Sequence, residues 1–413
     1  MVARLNLVLL IAVLSFLSTG CEEKDLSGST LVLAGPQVMI SVGRQFDLDR
    51  SKSKAVNVAS DAARDIDRWA TTLSLAPNGK SLVAIEFGQS AVYFDDIRSE
   101  SVGLPVKECR SPSSICVWAS DSSAFVLFDA PDRLWGELKL FDIETLNVVA
   151  SAKLDFALGA LSLTNDTFLV FRESGEQFSS TAPWRPQLFQ IGSRSITPLT
   201  PALPTENCPS MGSVFSIGKM PFLLTGSRSL VAPLELWLLP LDSRSESLIP
   251  QKGIVEGVSK DSPKAMLQEF AINSRGDKLA TLWQRSDEAS QNDFEFVEAY
   301  EISLRDKESK LTVLGCRKQW ESDPFSCAFD EIIVPDLTEH RVAFLCKDLL
   351  IGVAASEELR LYSAETGRLL KQFKVPHCNV LSTMNSPSEV LVSTTDGFTL
   401  LKIECRSESS PRN

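Results

Sequence analysis

The chain has 413 residues, enough for two or three average domains or for one large all-β domain. Hydrophobic residues at 44% and charged residues at 23% are ordinary globular values, which argue against wholesale disorder and against a polytopic membrane protein. The formal net charge of -12 argues against a nucleic-acid-binding surface, because phosphate contacts need clustered Lys and Arg.

The first 21 residues have the pattern of an export signal. Arg4 supplies a positive charge, and residues 5–17 form an uncharged apolar run that is too short for a comfortable membrane span. Small residues then lead to Cys21, although Ser18 stands where a lipobox has an aliphatic residue. This stretch resembles the signal of a bacterial lipoprotein precursor. An ordinary secretory signal with a chance cysteine is the alternative.

The resemblance implies a signal peptide over residues 1–20 and a lipid on Cys21, which would anchor the chain to the bilayer. Glu22, rather than Asp, follows the cysteine. In a Gram-negative cell this favours the outer membrane, with the chain facing the periplasm or the cell surface. The predicted location is therefore the cell envelope.

Eight cysteines remain after Cys21, and an even number in an exported chain predicts disulfides. Proximity along the chain predicts two bonds, each stabilising by roughly 2 to 3 kcal/mol: Cys109 with Cys116, and Cys316 with Cys327. The other four allow three connectivities: Cys208, Cys346, Cys378 and Cys405. Some of the eight are buried free thiols in the alternative interpretation. No metal site is predicted, because no CxxC occurs and the two histidines complete no ligand pattern.

Predicted strands fill the chain from residue 31 onward. Stretches at 31–33, 38–42 and 44–48 are rich in β-forming residues, and residues 72–100 then form the clearest unit. In that unit, Asn78-Gly79 permits a tight hairpin because both residues tolerate positive φ. Weaker copies follow, with apices at Ser122, Asp166, Gly218, Gly276, Glu339 and Pro387. Successive apices are 43 to 63 residues apart, at or above the spacing of propeller blades.

The turns carry a resemblance to a known architecture. Residues 76–80 (APNGK) and 273–277 (NSRGD) match the turn between the first two strands of WD40-like and TolB-like propellers. Residues 141–145 (FDIET) and 362–367 (YSAETG) match the turn after the third strand, although the Gly-His and Trp-Asp signatures of true WD40 repeats are absent. The resemblance implies an all-β fold, a single β-propeller of seven four-stranded blades over residues 31–405. Residues 21–30 would form a tether and 406–413 a disordered tail.

The closure of the ring follows from where the units begin and end. The strands at residues 31–48 precede the first complete hairpin, whereas the last unit ends after its third strand. We therefore expect the N-terminal segment to supply the outer strand of the last blade. Such closure removes an open seam, whose unpaired strand edges would invite aggregation.

The sequence contains no catalytic signature. It has no Gly-x-Ser-x-Gly elbow, no P-loop and no GxGxxG, and no cofactor is predicted. Carboxylate runs at 61–67, 129–132 and 287–298 lack an EF-hand loop and are interpreted as solvated connections. We predict a non-enzymatic scaffold that binds an envelope protein partner. A propeller enzyme or carbohydrate-binding module that uses the central channel is the alternative.

Three tryptophans are the candidate recognition residues. Trp135, Trp184 and Trp320 fall in polar, Pro-containing stretches that are predicted to be loops. Loops carry function on rigid scaffolds and aromatic residues dominate hot spots, so these loops are predicted to bind the partner. A loop tucked onto its own blade is the alternative. The tryptophans on or beside predicted strands are interpreted as packing residues: Trp69, Trp118, Trp237 and Trp283.

Overall fold

The computed structural model describes residues 37–47, 72–86, 90–99, 103–131, 135–155, 157–162, 166–173, 184–199, 211–217, 220–226, 234–238, 251–258, 265–287, 292–306, 312–326, 341–355, 358–375, 381–383, 388–394 and 397–406. Every regular element in these ranges is a β-strand. In this part of the chain, accordingly, no helix is long and apolar enough to cross a membrane.

The strands form seven sheets that follow one another along the chain. The first strand is β1 (Gln37–Asp47). Blade 1 contains β2 (Thr72–Leu75), β3 (Leu82–Glu86), β4 (Ser90–Phe94) and β5 (Leu104–Pro105). Blade 2 contains β6 (Pro112–Trp118), β7 (Ala124–Asp129), β8 (Trp135–Asp142) and β9 (Val148–Asp155). Blade 3 contains β10 (Ala157–Ser162), β11 (Thr167–Glu173), β12 (Trp184–Gly192) and β13 (Ser195–Pro198).

The second half of the chain repeats the plan. Blade 4 contains β14 (Met211–Ile217), β15 (Met220–Gly226), β16 (Leu234–Leu238) and β17 (Gln251–Lys252). Blade 5 contains β18 (Ile254–Glu256), β19 (Ala265–Ile272), β20 (Lys278–Asp287), β21 (Asn292–Asp306), β22 (Thr312–Glu321) and β23 (Phe325–Ser326). Blade 6 contains β24 (Val342–Leu345), β25 (Leu350–Ala355), β26 (Glu358–Ser363) and β27 (Leu369–Lys374). Blade 7 contains β28 (Leu381–Thr383), β29 (Glu389–Thr394) and β30 (Gly397–Arg406).

Contacts between blades close the seven sheets into a ring. One strand of each blade contacts the corresponding strands of both neighbouring blades, in the order β2, β6, β10, β14, β19, β24, β28 and again β2. Six apolar clusters also lie between neighbouring blades, and one of them joins blade 1 to blade 7 through Phe94 and Phe398. The predicted seven-bladed propeller is confirmed by this arrangement.

Blade 7 is completed by the N-terminal strand, as predicted. The strand order is β1-β30-β29-β28, and β1 pairs antiparallel with β30 from Gln37 opposite Arg406 to Asp47 opposite Gly397. A register shift between Val42 and Arg44 makes β1 one irregular strand where the sequence predicted several short ones. Arg406 belongs to β30, so the strand continues one residue beyond the predicted boundary of the propeller.

The predicted Asn78-Gly79 turn is confirmed. Asn78 Oδ1 accepts hydrogen bonds from the backbone N–H groups of Lys80 and Ser81, at 2.8 and 3.0 Å. The corresponding turns of blades 1, 2 and 5 each contain one residue with positive φ, whose N–H donates to the carbonyl three residues earlier. These residues are Gly79, Ser122 and Gly276, with φ of 66°, 62° and 69°.

The turn predicted around Glu339 lies outside the described residues, and the hairpin that joins the first two strands of blade 6 was not predicted. The observed hairpin joins β24 to β25 through residues 346–349, and Cys346, Lys347 and Asp348 all have positive φ. None of these residues is Gly or Asn, so the usual sequence signal for such a backbone is missing. Contacts outside the turn must therefore hold this conformation.

Hydrogen bonds between neighbouring turns supply such contacts. Asp348 accepts from the backbone N–H of Ser274 at 3.3 Å and from the Ser274 hydroxyl at 2.7 Å, which ties blade 6 to blade 5. Similar bonds run from the Asn78 N–H to Ser122 Oγ, at 2.9 Å, and from the Ser120 N–H to a carboxylate of blade 3, at 2.6 Å. A side chain of one turn thus repeatedly fixes the backbone of the preceding turn.

Candidate functional site: the enlarged fifth blade

Blade 5 differs from the other six sheets in size. Its longest strand, β21, has 15 residues, and the sheet has six strands where the other sheets have four. One of the two additional strands is β23, which pairs with β21 near Phe294. The other is β18, which runs parallel to β22 at the outer edge of the sheet. Among the described strands, blade 5 is therefore the largest departure from the four-stranded repeat.

The added strand β18 belongs to a strap over residues 251–257, which runs from blade 4 to blade 5. In blade 4 the strap pairs with Trp237 and Leu238, and the Gly253 N–H donates to the Leu236 carbonyl at 2.8 Å. The strap then continues as β18 beside Val313. It ends at Gly257, which has a φ of +86°.

A surface groove of ≈ 360 Å³ lies on this sheet, between the end of the strap and the middle of β21 and β22. Glu301, Ser303 and Arg305 are every second residue of β21, so their side chains point to the same face of the sheet. Ser303 lies opposite Gly315 on β22, and the missing side chain of the glycine leaves space between the surrounding charged residues. The remaining lining residues are Glu256, Gly257, Cys316 and Arg317.

Charges of both signs surround the groove. Arg317 forms an exposed ion pair with Glu301, its cross-strand neighbour. Arg305 extends over Gly315, so that a Cβ added to the glycine would lie 3.5 Å from Arg305 Nε. Two carboxylates and two guanidinium groups in one open groove suit a polar protein segment that carries both charges better than a ligand of one charge.

The groove contains no activated nucleophile among the residues that line it. Cys316 alternates with Gly315 and Arg317, so its side chain points to the opposite side and packs against the apolar cluster between blades 4 and 5. Burial raises the pKa of the Cys316 thiol to about 12. The thiol is therefore protonated at neutral pH and is a poor nucleophile there.

Buried carboxylates elsewhere have partners that explain them structurally. Glu295 is 1% exposed and forms two hydrogen bonds of 2.8 Å with Arg341 of blade 6. Glu298 accepts hydrogen bonds from Tyr300 and Lys318. The sequence interpretation of residues 287–298 as a solvated connection is wrong, because most of this run belongs to β20 and β21.

The first residue of the run at 129–132 is likewise not solvated, whereas Asp132 lies outside the described residues. Asp129 is buried at the end of β7, where it accepts from the Ser111 N–H at 2.8 Å and pairs with Lys139 at 2.5 Å. Residues 61–67 lie outside the described ranges. Among the described residues, no group of three or more His, Cys, Asp or Glu side chains could hold a metal ion. Both histidines, His340 and His377, lie outside those ranges.

The three tryptophans predicted to lie in loops lie in strands. Trp135 and Trp184 are the first residues of β8 and β12, and their side chains are outside the described part of the structure. Trp320 lies in β22, and its indole N–H donates to the Ala364 carbonyl of blade 6 at 3.3 Å. The alternative of a tucked side chain therefore fits Trp320, with the difference that it packs on the next blade. Partner binding by Trp135 and Trp184 stays a prediction.

The tryptophans interpreted as packing residues are buried where they are described. Trp118, Trp237 and Trp283 are 6%, 5% and 4% exposed. Trp69 lies outside the described ranges.

The predicted disulfide between Cys109 and Cys116 is not formed in the structure. Both are buried free thiols of the same apolar cluster between blades 1 and 2. Burial raises the pKa of both thiols, that of Cys116 to about 12. They fit the alternative interpretation, in which some cysteines are small core residues.

Cys316 is also a free thiol. It lies opposite Ile302 on β21, whereas Ser326 lies opposite Phe294, eight residues away on the same strand. Eight residues of a strand span roughly 27 Å, far beyond the reach of a disulfide. This register lends no support to a bond with Cys327, which itself lies outside the described ranges. Cys21, Cys208 and Cys378 lie outside them as well.

The groove of blade 5 was not predicted from the sequence. A signal was present, because Glu301, Ser303 and Arg305 alternate with apolar residues along β21. The partners of these residues were not predictable in the same way, since the strap and the position of Gly315 depend on the pairing of distant strands.

Comparisons with known proteins identify no family for this chain. No protein-family model matches the chain, and no curated protein matches it. Similar solved structures include the Cps50 (Swd1) beta-propeller domain of Myceliophteria thermophila, at 11% identity and a TM-score of 0.46, over 80% of this chain and 96% of that domain. The computationally designed Ika8 protein matches at 12% identity and a TM-score of 0.45, over 81% and 96%. The strand order establishes the fold by itself.

Proposed function

We propose that this protein is a lipid-anchored scaffold of the cell envelope, whose propeller holds a protein partner at the groove of blade 5. The observation that carries the proposal is the enlargement of this one blade, with a groove of both charges on its exposed sheet. Three buried carboxylates, Asp129, Glu295 and Glu298, each form an ion pair. A structural role explains their burial, which favours a scaffold over an enzyme.

The anchor is proposed from the sequence alone. Its support is the positive charge at Arg4, the apolar run at 5–17 and the small residues before Cys21. Acylation at about 0.8 kcal/mol per buried methylene would give stable attachment once two chains are present. The matched variants for this step are Cys21→Ala and Cys208→Ala. Only the first should move the protein from the membrane fraction to the soluble fraction, and an unchanged distribution would contradict the anchor.

The groove is tested by reversing its positive charges. We expect Arg305→Glu with Arg317→Glu to remove the partner from cross-linked complexes that are purified from native membranes. The matched control is Lys371→Glu with Lys374→Glu, which makes the same change in charge on the exposed outer strand of blade 6. Quantitative mass spectrometry should find a protein that is depleted at least tenfold with the first variant and retained with the control. Equal recovery of every co-purified protein with both variants would refute the groove as the binding site.

A further inference from the structure

Cys346 lies at the boundary between blades 6 and 7. It occupies the turn between β24 and β25, is 7% exposed, and belongs to the apolar cluster that joins the two blades. Its thiol donates a hydrogen bond to the Ile403 carbonyl of β30, with Sγ and the oxygen 3.5 Å apart. A side chain of blade 6 thus lies directly against the backbone of blade 7.

Cys405 follows Ile403 by two residues on the same strand. Alternate residues of a strand point to the same face, and Cys405 packs against the cluster that contains Ile403 and Cys346. Interaction with Cys405 raises the pKa of Cys346, and interaction with Cys346 lowers the pKa of Cys405, which favours the thiolate at Cys405.

The backbone around Cys346 is held in place by blade 5. Cys346, Lys347 and Asp348 have φ of 52°, 57° and 66°, a conformation that L-residues adopt rarely and hardly ever in succession. Asp348 fixes this turn through its two hydrogen bonds from Ser274 and a further one from Asn273 Nδ2 at 3.3 Å. The position of the thiol therefore does not depend on a flexible loop.

We propose that Cys346 and Cys405 form a disulfide that joins blade 6 to blade 7. The bond would fasten β30, the strand on which β1 closes the ring. Of the four cysteines whose connectivity the sequence leaves open, Cys346 and Cys405 are the two that the structure describes, and both contact the same apolar cluster between blades 6 and 7. The proposal is independent of the groove and of the lipid anchor.

The chemistry requires a disulfide-containing oxidant, for which a low-molecular-weight disulfide is sufficient. The Cys405 thiolate attacks one sulfur of the oxidant, breaks its S–S bond and releases one thiolate. Cys346 then loses its proton and attacks the Cys405 sulfur of the mixed disulfide, which releases the second thiolate. The two protein thiols are oxidised, the oxidant is reduced to two thiols, and the two protons end on the released thiolates.

Peptide mapping tests the bond directly. The full chain is oxidised with glutathione disulfide, free thiols are alkylated under denaturing conditions, and the protein is digested with trypsin. We expect the peptides of residues 342–347 (VAFLCK) and 403–406 (IECR) to appear as one cross-linked species that disappears on reduction. Alkylation of both peptides, or a cross-link from either one to any other cysteine, would overturn the proposal.

Thermal stability gives a second measurement on the same protein. The bond would close a loop of about 60 residues in the unfolded chain, for which we expect a rise in Tm of about 5 °C on oxidation. The rise should be lost in Cys346→Ser and in Cys405→Ser, and kept in the control Cys316→Ser, which removes another partly buried thiol. A rise that persists in both of the first two variants would refute the assignment.

Discussion

Glu295 and Arg341 form a buried ion pair that connects blade 5 to blade 6. The carboxylate is 1% exposed, and the side chain of Arg341 is 11% exposed. Arg341 also donates to the Ala354 carbonyl at 3.2 Å. Since burial of two charges is costly, the pair adds little net stability compared with an apolar pair, but each member depends strongly on the other.

Removal of either member should destabilise the protein strongly. We expect Glu295→Ala and Arg341→Ala each to lower the free energy of unfolding by about 3 to 5 kcal/mol, because each leaves one buried charge without its counterion. The double variant should lose less than the sum of the two. Denaturant titration measures all three, with Arg317→Ala as the control at an exposed pair, where a loss below about 1 kcal/mol is expected. Additive losses in the double variant would contradict direct coupling.

At the scale of elements, the strap from blade 4 to blade 5 depends on its glycines. A Cβ at Gly257 would lie 2.0 Å from the Cys316 carbonyl oxygen, and the φ of +86° is also unfavourable for other residues. At Gly253 the added Cβ would lie 2.9 Å from the Thr312 carbonyl oxygen. Both contacts are with the backbone of β22. The strap can therefore lie close to this strand because its two glycines carry no side chains.

Substitution of Gly257 should therefore release the strap. We expect Gly257→Ala to lower stability by about 1 to 3 kcal/mol or more and to speed amide hydrogen exchange at Ile254 and Glu256. The matched control is Gly315→Ala on the same sheet, where the new Cβ would meet side-chain atoms of Arg305 and Ser303 no closer than 3.5 Å. Unchanged exchange in β18 of the Gly257 variant would show that the close approach is not needed.

Hairpins show how far local sequence specifies an element. Asn78-Gly79 and Gly276 predicted their turns correctly. Gly and Asn adopt positive φ at low cost, so their presence in the sequence indicates a tight turn. In blade 6 the same type of backbone is adopted by Cys346, Lys347 and Asp348, where no turn was predicted. Hydrogen bonds from blade 5 stabilise that turn, and these contacts cannot be read from residues 346–348 alone.

At the scale of the whole molecule, the ring depends on pairing between the two ends of the described chain. β1 covers β30 along its length, and β30 in turn packs against blade 6. Without β1, blade 7 would have three strands and an unpaired edge. Such an edge exposes a row of backbone donors and acceptors that can pair with another chain.

Deletion of β1 should therefore damage the entire propeller. We expect a chain that starts at residue 48 to melt at least 10 °C lower than a chain that starts at residue 36, or to aggregate, as measured by calorimetry and size-exclusion chromatography. Addition of a synthetic peptide of residues 36–47 should restore part of the loss. Equal melting temperatures for the two chains would show that β1 does not close the ring.

The sequence by itself determined the repeating strand pattern, the number of blades and the closure by the N-terminal strand. The strand pattern and the number of blades depend on alternation and on local turn chemistry, which act over a few residues, and the closure was inferred from where the strand units begin and end. Only the tertiary structure decided which residues meet across blades: Glu295 with Arg341, Cys346 with Ile403, and Trp320 with Ala364. Such contacts depend on the register between distant strands, and in a ring that register is set by the packing of every blade on its neighbours.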